Sequence, residues 1–333
     1  MTIATSRIVR FFETGNADVL KFESLPVSEP SEGEIRIRVE AIGLNRAEIM
    51  FREGQYLEAP EFPAQLGYEA AGIVEEIGPG VDELNIGDRV STIPGFSQNK
   101  YGVYGETAIV PAAYSAHNPK NLSAKQSAAI WMQYITAYGG LIEIGKASAD
   151  TVILITASSS SVGLAAIQIA KMTGATCIAT TRSNDKKDFL LNAGADHVVV
   201  TDDENLADSV MAYTDGHGAD VVFDPIGGPL INELANAAAR QGIIIEYGAL
   251  SPDASPFPLF PALAKSLTIR GYVLFEITQD PARLGLAKRF VYEGLESGAL
   301  NPVIDQTFAF DDIAQAHRYM ESNQQRGKIV VTV

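Results

Sequence analysis

The chemistry of this chain begins at a turn of four serines. Ala157-Ser158-Ser159-Ser160-Ser161-Val162-Gly163 follows the apolar, β-branched run Thr151-Val152-Ile153-Leu154-Ile155, a pattern suited to a strand buried on both faces of a parallel sheet. Leu164 to Met172 reads as a helix, Gly174 ends it, and Ala175 to Thr180 begins a second strand. At such a strand-to-helix turn, hydroxyls and unsatisfied backbone N–H groups can hydrogen-bond a dinucleotide pyrophosphate at the positive end of the helix. The fingerprint G-x-G-x-x-G would fall on Ser158 to Gly163, and only its last glycine, Gly163, is present. That glycine permits close packing of helix on strand, whereas Ser160 stands where the backbone normally approaches the phosphates. Taken alone, the stretch also fits a crossover that binds nothing.

The end of the second strand bears on which dinucleotide would fit. An enzyme using NAD places an acid about 20 residues beyond the glycine turn to bind the ribose hydroxyls. Here the chain reads Thr180-Thr181-Arg182-Ser183-Asn184-Asp185-Lys186-Lys187, with no acid before Arg182. Thr181, Arg182 and Ser183 are therefore expected at a 2′-phosphate, which Arg182 and Ser183 can bind as donors. Asp185 is placed as a helix cap. A merely solvated basic face over Arg182, Lys186 and Lys187 is the competing reading.

These sites need elements to hold them. With 333 residues the chain exceeds one ordinary core, so two domains are expected. From Arg7 to about Gln126 it reads as all-β: Ile35 to Ala41 alternates apolar and charged residues, and Ala70 to Gly78, Gly87 to Thr92 and Gly105 to Pro111 are further strands. Asn45 to Tyr56 holds a short helix. From Ser123 the pattern changes, with a helical stretch over Ala128 to Ile144, and strands then alternate with helices. After the two strands above come His197 to Val200, Ala219 to Asp224, Gly242 to Tyr247 and Leu267 to Tyr272. Such alternation describes an α/β doubly wound parallel sheet. A helix from Ala282 to Glu296, the segment Pro302 to Phe308, a helix from Asp312 to Glu321 and a last strand, Lys328 to Val333, complete the chain. That strand has no helix after it and could return to the first domain.

Composition excludes several function classes. The net charge of −16 repels nucleic acid and anionic membrane surfaces, so neither is expected as a partner. Cys177, the sole cysteine, rules out an internal disulfide and reads as a small buried hydrophobe. No signal peptide or membrane span is evident, so a soluble, cytoplasmic protein is expected.

The motifs, in order, are Gly43-Leu44-Asn45, Gly67-Tyr68-Glu69-Ala70-Ala71-Gly72, Gly87-Asp88-Arg89-Val90, the turn at 157–163, Gly194-Ala195-Asp196, Asp220 to Asp224 with Gly227-Gly228, and Gly327-Lys328-Ile329-Val330. In this order the chain resembles the zinc-independent quinone oxidoreductases, the zeta-crystallin-like branch of the medium-chain dehydrogenase/reductases. The resemblance implies a Rossmann domain inserted in a GroES-like β-barrel substrate domain. Residues 1–126 and 273–333 would form the substrate domain and 127–272 the NADP-binding domain. Asn45 stands where the zinc branch has a ligand cysteine, and Gly67-Tyr68-Glu69 where it has Gly-His-Glu, so no metal is expected. His117, His197, His217 and His317 are scattered and read as surface or capping residues.

The resemblance also implies roles. Lys186 matches the family lysine at the 2′-phosphate, so NADPH is the expected cofactor. Asn45 and Tyr56 match positions lining the substrate cleft. Tyr68 is a further candidate hydrogen-bond donor, although either tyrosine could equally be a packed aromatic. A second family tyrosine falls on Met50, making the pocket more apolar. Thr136 lies at the nicotinamide side, Gly271 to Phe275 passes near it, and Tyr247 and Lys328 join the cofactor-binding positions. The segment after the sixth strand also pairs subunits in the family, so a homodimer is expected. The implied function is metal-free hydride transfer from NADPH to a quinone or α,β-unsaturated carbonyl, which needs close approach, a dry pocket and a donor where charge develops. A 2-enoyl-thioester reductase and a non-catalytic dinucleotide-binding protein are the alternatives.

Overall fold

Ile35, Ile37 and Val39 are buried and alternate with arginines along β3 (Glu34–Gly43), so the charged residues face out and the aliphatic ones the core. The computed structural model describes residues 4–333. Its contacts group the chain into two units. The first runs to Met132 and resumes over Pro302–Val333, and the second is Gln133–Asn301.

In the first unit β1 (Thr5–Phe11) lies between β2 (Lys21–Pro26) and β4 (Ala64–Gln65). A larger sheet has the order β15-β16-β3-β5-β6-β8, with β5 (Glu69–Ile77), β6 (Arg89–Thr92), β8 (Ser115–His117), β15 (Ile304–Ala309) and β16 (Lys328–Thr332). β7 (Thr107–Pro111) also pairs with β3. The last strand thus does return: Val330 and Val331 pair antiparallel with Gly43 and Ile42. Between strands lie α1 (Arg46–Arg52) and α2 (Ala124–Ser127), the latter opened by the Ser123 hydroxyl accepting from the Gln126 N–H. α11 (Ile313–Glu321) precedes β16.

The second unit holds a wholly parallel sheet of order β11-β10-β9-β12-β13-β14. Its strands are β9 (Val152–Ile155), β10 (Thr176–Thr181), β11 (His197–Val200), β12 (Ala219–Asp224), β13 (Ala238–Glu246) and β14 (Thr268–Gly271). Leu154, Ile178, Val199, Val222 and Ile244, one from each of five strands, form a fully buried layer. The helices are α4 (Ser161–Thr173), α5 (Lys187–Asn192), α6 (Leu206–Tyr213), α7 (Ile231–Ala237), α8 (Leu259–Lys265), α9 (Phe275–Thr278) and α10 (Pro281–Ser297).

Two sequence readings change here. The second unit extends to Asn301 rather than stopping at 272, because Arg283 on α10 pairs with Glu143 at 2.8 Å and the Phe290 ring lies 5.1 Å from that of Tyr138. The helix expected over Ala128 to Ile144 is α3 (Trp131–Tyr138) continued by a π-helical stretch, Gly139–Ile144. A Cβ on Gly139 would lie 2.0 Å from the Tyr272 hydroxyl, and one on Gly140 2.3 Å from the Phe223 ring. Glycines are required where those rings approach the wider turn.

Candidate active site

In the second unit the switch in strand order falls at β9, with β10 and β11 on one side and β12 to β14 on the other. Ligands of such sheets bind beyond the carboxyl ends of the strands at that point. The serine turn leaves β9 there. Ser160 is the N-cap of α4, its hydroxyl accepting from the Gly163 N–H at 3.0 Å. The first-turn N–H groups of Ser161 and Val162 have no helical acceptor and point toward the incoming end of the helix. A Cβ on Gly163 would come within 2.6–2.7 Å of Ser158 and Ala157 backbone atoms, so glycine is obligatory there. Ser158 does not face a ligand as expected: fully buried, it donates to the Ile155 carbonyl at 2.7 Å and accepts from the Thr180 N–H at 2.9 Å, tying β9 to β10.

Lys186 reaches this turn, its Nζ donating to Ser159 Oγ at 3.2 Å. Arg182 stands exposed just past β10, and Thr181 is buried at its end, its hydroxyl donating to the Ser183 carbonyl at 3.2 Å. The Ser183 hydroxyl is committed to the Asp185 carboxylate. Asp185 therefore does not cap a helix but lies inside the short turn Asn184–Lys186, whose N-cap is Ser183. A helix N-terminus flanked by a lysine and an arginine can hold a phosphorylated anion.

Other expected cofactor positions divide. Thr136 is buried on α3. Phe275 opens α9. The Tyr247 ring stacks on Phe223, with centroids 4.0 Å apart, and its hydroxyl is buried without a hydrogen-bond partner; burial raises that hydroxyl's pKa far above the ordinary value.

The first unit collects a second group of expected residues. Asn45 precedes α1, and its backbone N–H donates to the buried Glu48 carboxylate. Both Asn45 amide hydrogens are spent inside the fold, on Gly43 O and Glu48 Oε1, each at 3.1 Å. Its Oδ1 accepts from Lys328 Nζ at 2.6 Å, and the same ammonium pairs with Glu69. Lys328, expected beside the cofactor, is instead completely buried on β16, between β15 and β3. Glu69 Oε1 accepts from the Met132 N–H at 2.9 Å and so holds the start of α3.

Glu48 was not foreseen. Burial pushes its carboxyl up to about 7, although the Lys328 charge and the Asn45 amide act the other way. Its position three residues after an N-cap asparagine was the available signal. Tyr68 is buried and hydrogen-bonds the half-buried Tyr56. Burial pushes the Tyr56 hydroxyl up to about 12.

The histidines correct one expectation. His317 is buried, accepting at Nδ1 from Arg52 Nη1 (3.0 Å), with Nε2 at 3.2 Å from the Tyr104 hydroxyl. Burial, helped by Arg52, depresses its pKa to about 3, so the ring is neutral with its proton on Nε2. Among the described residues no group of three or more His, Cys, Asp or Glu is arranged to hold a metal ion.

Comparison with known proteins follows this division. Residues 31–120 match the alcohol dehydrogenase GroES-like domain and residues 161–287 the zinc-binding dehydrogenase family. Together with the fold, they define a medium-chain dehydrogenase/reductase. A quinone oxidoreductase of Pongo abelii is 31% identical over 93% of this chain and 92% of its own length. A 2-haloacrylate reductase of a Burkholderia species is 29% identical over 95% of this chain and 96% of its own. The structure of Escherichia coli quinone oxidoreductase complexed with NADPH superposes with a TM-score of 0.90 at 27% identity, over 98% of this chain and all of that one (100%). The chain belongs to the zinc-independent quinone oxidoreductase branch of the medium-chain dehydrogenase/reductase superfamily.

Proposed function

We propose that the protein is an NADPH-dependent reductase of quinones or α,β-unsaturated carbonyls. The observation that carries this reading is the convergence of Lys186 on Ser159 at the start of α4, with Arg182 exposed at the end of β10. The residues fit the cofactor: Ser161 and Val162 offer N–H groups to the pyrophosphate, while Arg182 and Lys186 offer charge to the 2′-phosphate. NADPH, when bound, supplies the hydride. Tyr56 supplies a hydroxyl to the substrate oxygen on which negative charge develops. Tyr68, hydrogen-bonded to Tyr56, fixes the place of that hydroxyl. Asn45 holds Lys328 and the start of α1 in place.

The protein acts as a soluble cytoplasmic homodimer in this reading. Phe257, Leu259, Phe260 and Leu263 are all more than half exposed, on and just before α8, in the segment leading to the edge strand β14. An apolar surface of this kind suits a second copy of the chain. Among the described residues no helix is long and apolar enough to cross a membrane.

Following NADPH oxidation with a quinone, a small enone and a crotonyl thioester in parallel tests the assignment. Turnover with the first two supports it. Turnover with the thioester alone moves the protein to the enoyl-thioester reductases, and tight NADPH binding without any turnover makes it a binding protein.

A further inference from the structure

Two carboxyl groups face each other at the carboxyl edge of the parallel sheet, beside the switch point. Asp224 ends β12 and Glu246 ends β13, and the two are register partners. Partners on adjacent strands project from the same face and lie about one strand spacing, ~4.8 Å, apart. Asp224 is well supplied with donors: the Thr156 hydroxyl reaches Oδ1, and the Gly227 N–H reaches Oδ2 at 2.7 Å. Burial raises the Asp224 pKa, and those donors, with Glu246, act the other way and favour its ionised form. Glu246 has none, although both its oxygens are shielded from solvent.

Among the described residues no cation offsets that burial, and Asp224 is the one charged group acting on Glu246. From the other neighbours come the Thr156 hydroxyl on the β9 side, Gly271 opposite on β14, and the Gly227 turn, where a Cβ would lie 3.1 Å from Ser255 Oγ and 3.8 Å from Glu246 Oε2. Tyr247, next along the chain, turns its ring onto Phe223. Arg270 is spent on Glu276. Two ionised carboxylates in this setting would repel each other and any pyrophosphate brought to the same edge.

We infer that Glu246 is kept as a neutral carboxylic acid donating to the Asp224 carboxylate, and that this proton is a condition for the sheet edge to accept an anionic dinucleotide. Glu246 is thus a positioning residue for the cofactor, and the inference rests on the NADPH reading above. Burial first, then the Asp224 charge, pushes the Glu246 carboxyl up to about 8, which puts loss of the proton just above neutrality. On ionisation the proton goes to water, and the Gly227 turn and the ends of β12 and β13 are left with two like charges.

The experiment is NADPH affinity, by nicotinamide fluorescence, between pH 7 and 9.5. In this range the 2′-phosphate is fully ionised, since its second pKa is about 6, and any change at a lysine is common to the wild type and Glu246→Gln. The wild-type dissociation constant should rise about tenfold per pH unit above pH 8, the slope for loss of one proton. Glu246→Gln, neutral at every pH, should bind as the wild type does at pH 7 and stay flat. Superimposable pH curves for the two proteins would overturn the inference while leaving NADPH as cofactor. Failure of the wild type to bind NADPH at any pH would overturn both. Should Glu246→Gln not fold, infrared difference spectra of Glu48→Gln, which lacks the other raised carboxyl, decide: a protonated-carboxyl band at pH 7 that vanishes by pH 9 supports the inference, and its absence at pH 7 overturns it.

Discussion

Lys328, on the last strand, and Glu69, at the start of β5, form an ion pair in which neither side chain is more than 1% exposed. The pair joins positions 259 residues apart. Through Asn45 and Met132 it also ties the start of α1 and the start of α3 to the same ammonium. Burying such charges is costly, and removing one partner strands the other.

Lys328→Met should therefore destabilise the protein by about 3–5 kcal/mol, the usual cost of an uncompensated buried charge. Lys328→Met combined with Glu69→Gln should cost less than the two single losses added together. Urea unfolding followed by the fluorescence of the buried Trp131 reads this directly, and strict additivity would show that the pair is not coupled.

Arg182→Ala should weaken NADPH binding about tenfold, the loss of one charge-assisted hydrogen bond, and leave NADH binding nearly unchanged. Lys186→Ala should do the same and in addition free the Ser159 hydroxyl. Titration of each variant with both cofactors checks this; equal losses for NADPH and NADH would remove both cations from the 2′-phosphate site.

Acid should unfold the protein in part through His317. Its folded pKa of about 3 lies below the unfolded value near 6.5. The unfolded chain then binds the extra proton, so this contribution is complete above about pH 6.5 and is lost as pH falls toward 3. Glu48 and Glu246, raised to about 7 and 8, act oppositely: their contribution is complete below about pH 4.5 and is lost as pH rises. Comparing urea midpoints of wild type and His317→Gln at pH 7 and pH 4.5 isolates the histidine, because the glutamates are common to both. The variant should lose less stability on acidification.

Ser160→Ala should cost about 1 kcal/mol through loss of the α4 cap, whereas Ser160→Gly, the fingerprint residue, should cost only a few tenths. Thermal unfolding of the two variants measures the difference. Identical melting temperatures would mean that the Ser160–Gly163 bond is not stabilising.

Much of this architecture was legible along the chain because it rests on local periodicity. Helix Leu206–Tyr213 and strands Ala219–Asp224 and His197–Val200 lie where the apolar pattern put them. The capping serine before α2 and the close-packed Gly163 likewise follow from residue type and spacing. Residue type also marked Arg182 as a donor at the end of the second strand, and the family resemblance pointed to Lys186.

Long-range pairing was decided only by the folded chain. Nothing near Lys328 in sequence tells that its ammonium meets Asn45 and Glu69, or that Ser158 bridges two strands instead of facing a ligand. His317 looked like a surface residue because its partners, Arg52 and Tyr104, are 265 and 213 positions away. Asp224 and Glu246 read as two ordinary strand-end acids until the parallel register set them side by side. A charge advertises its sign in sequence, but its protonation and its partner depend on burial and neighbours, and those exist only once the sheets have formed.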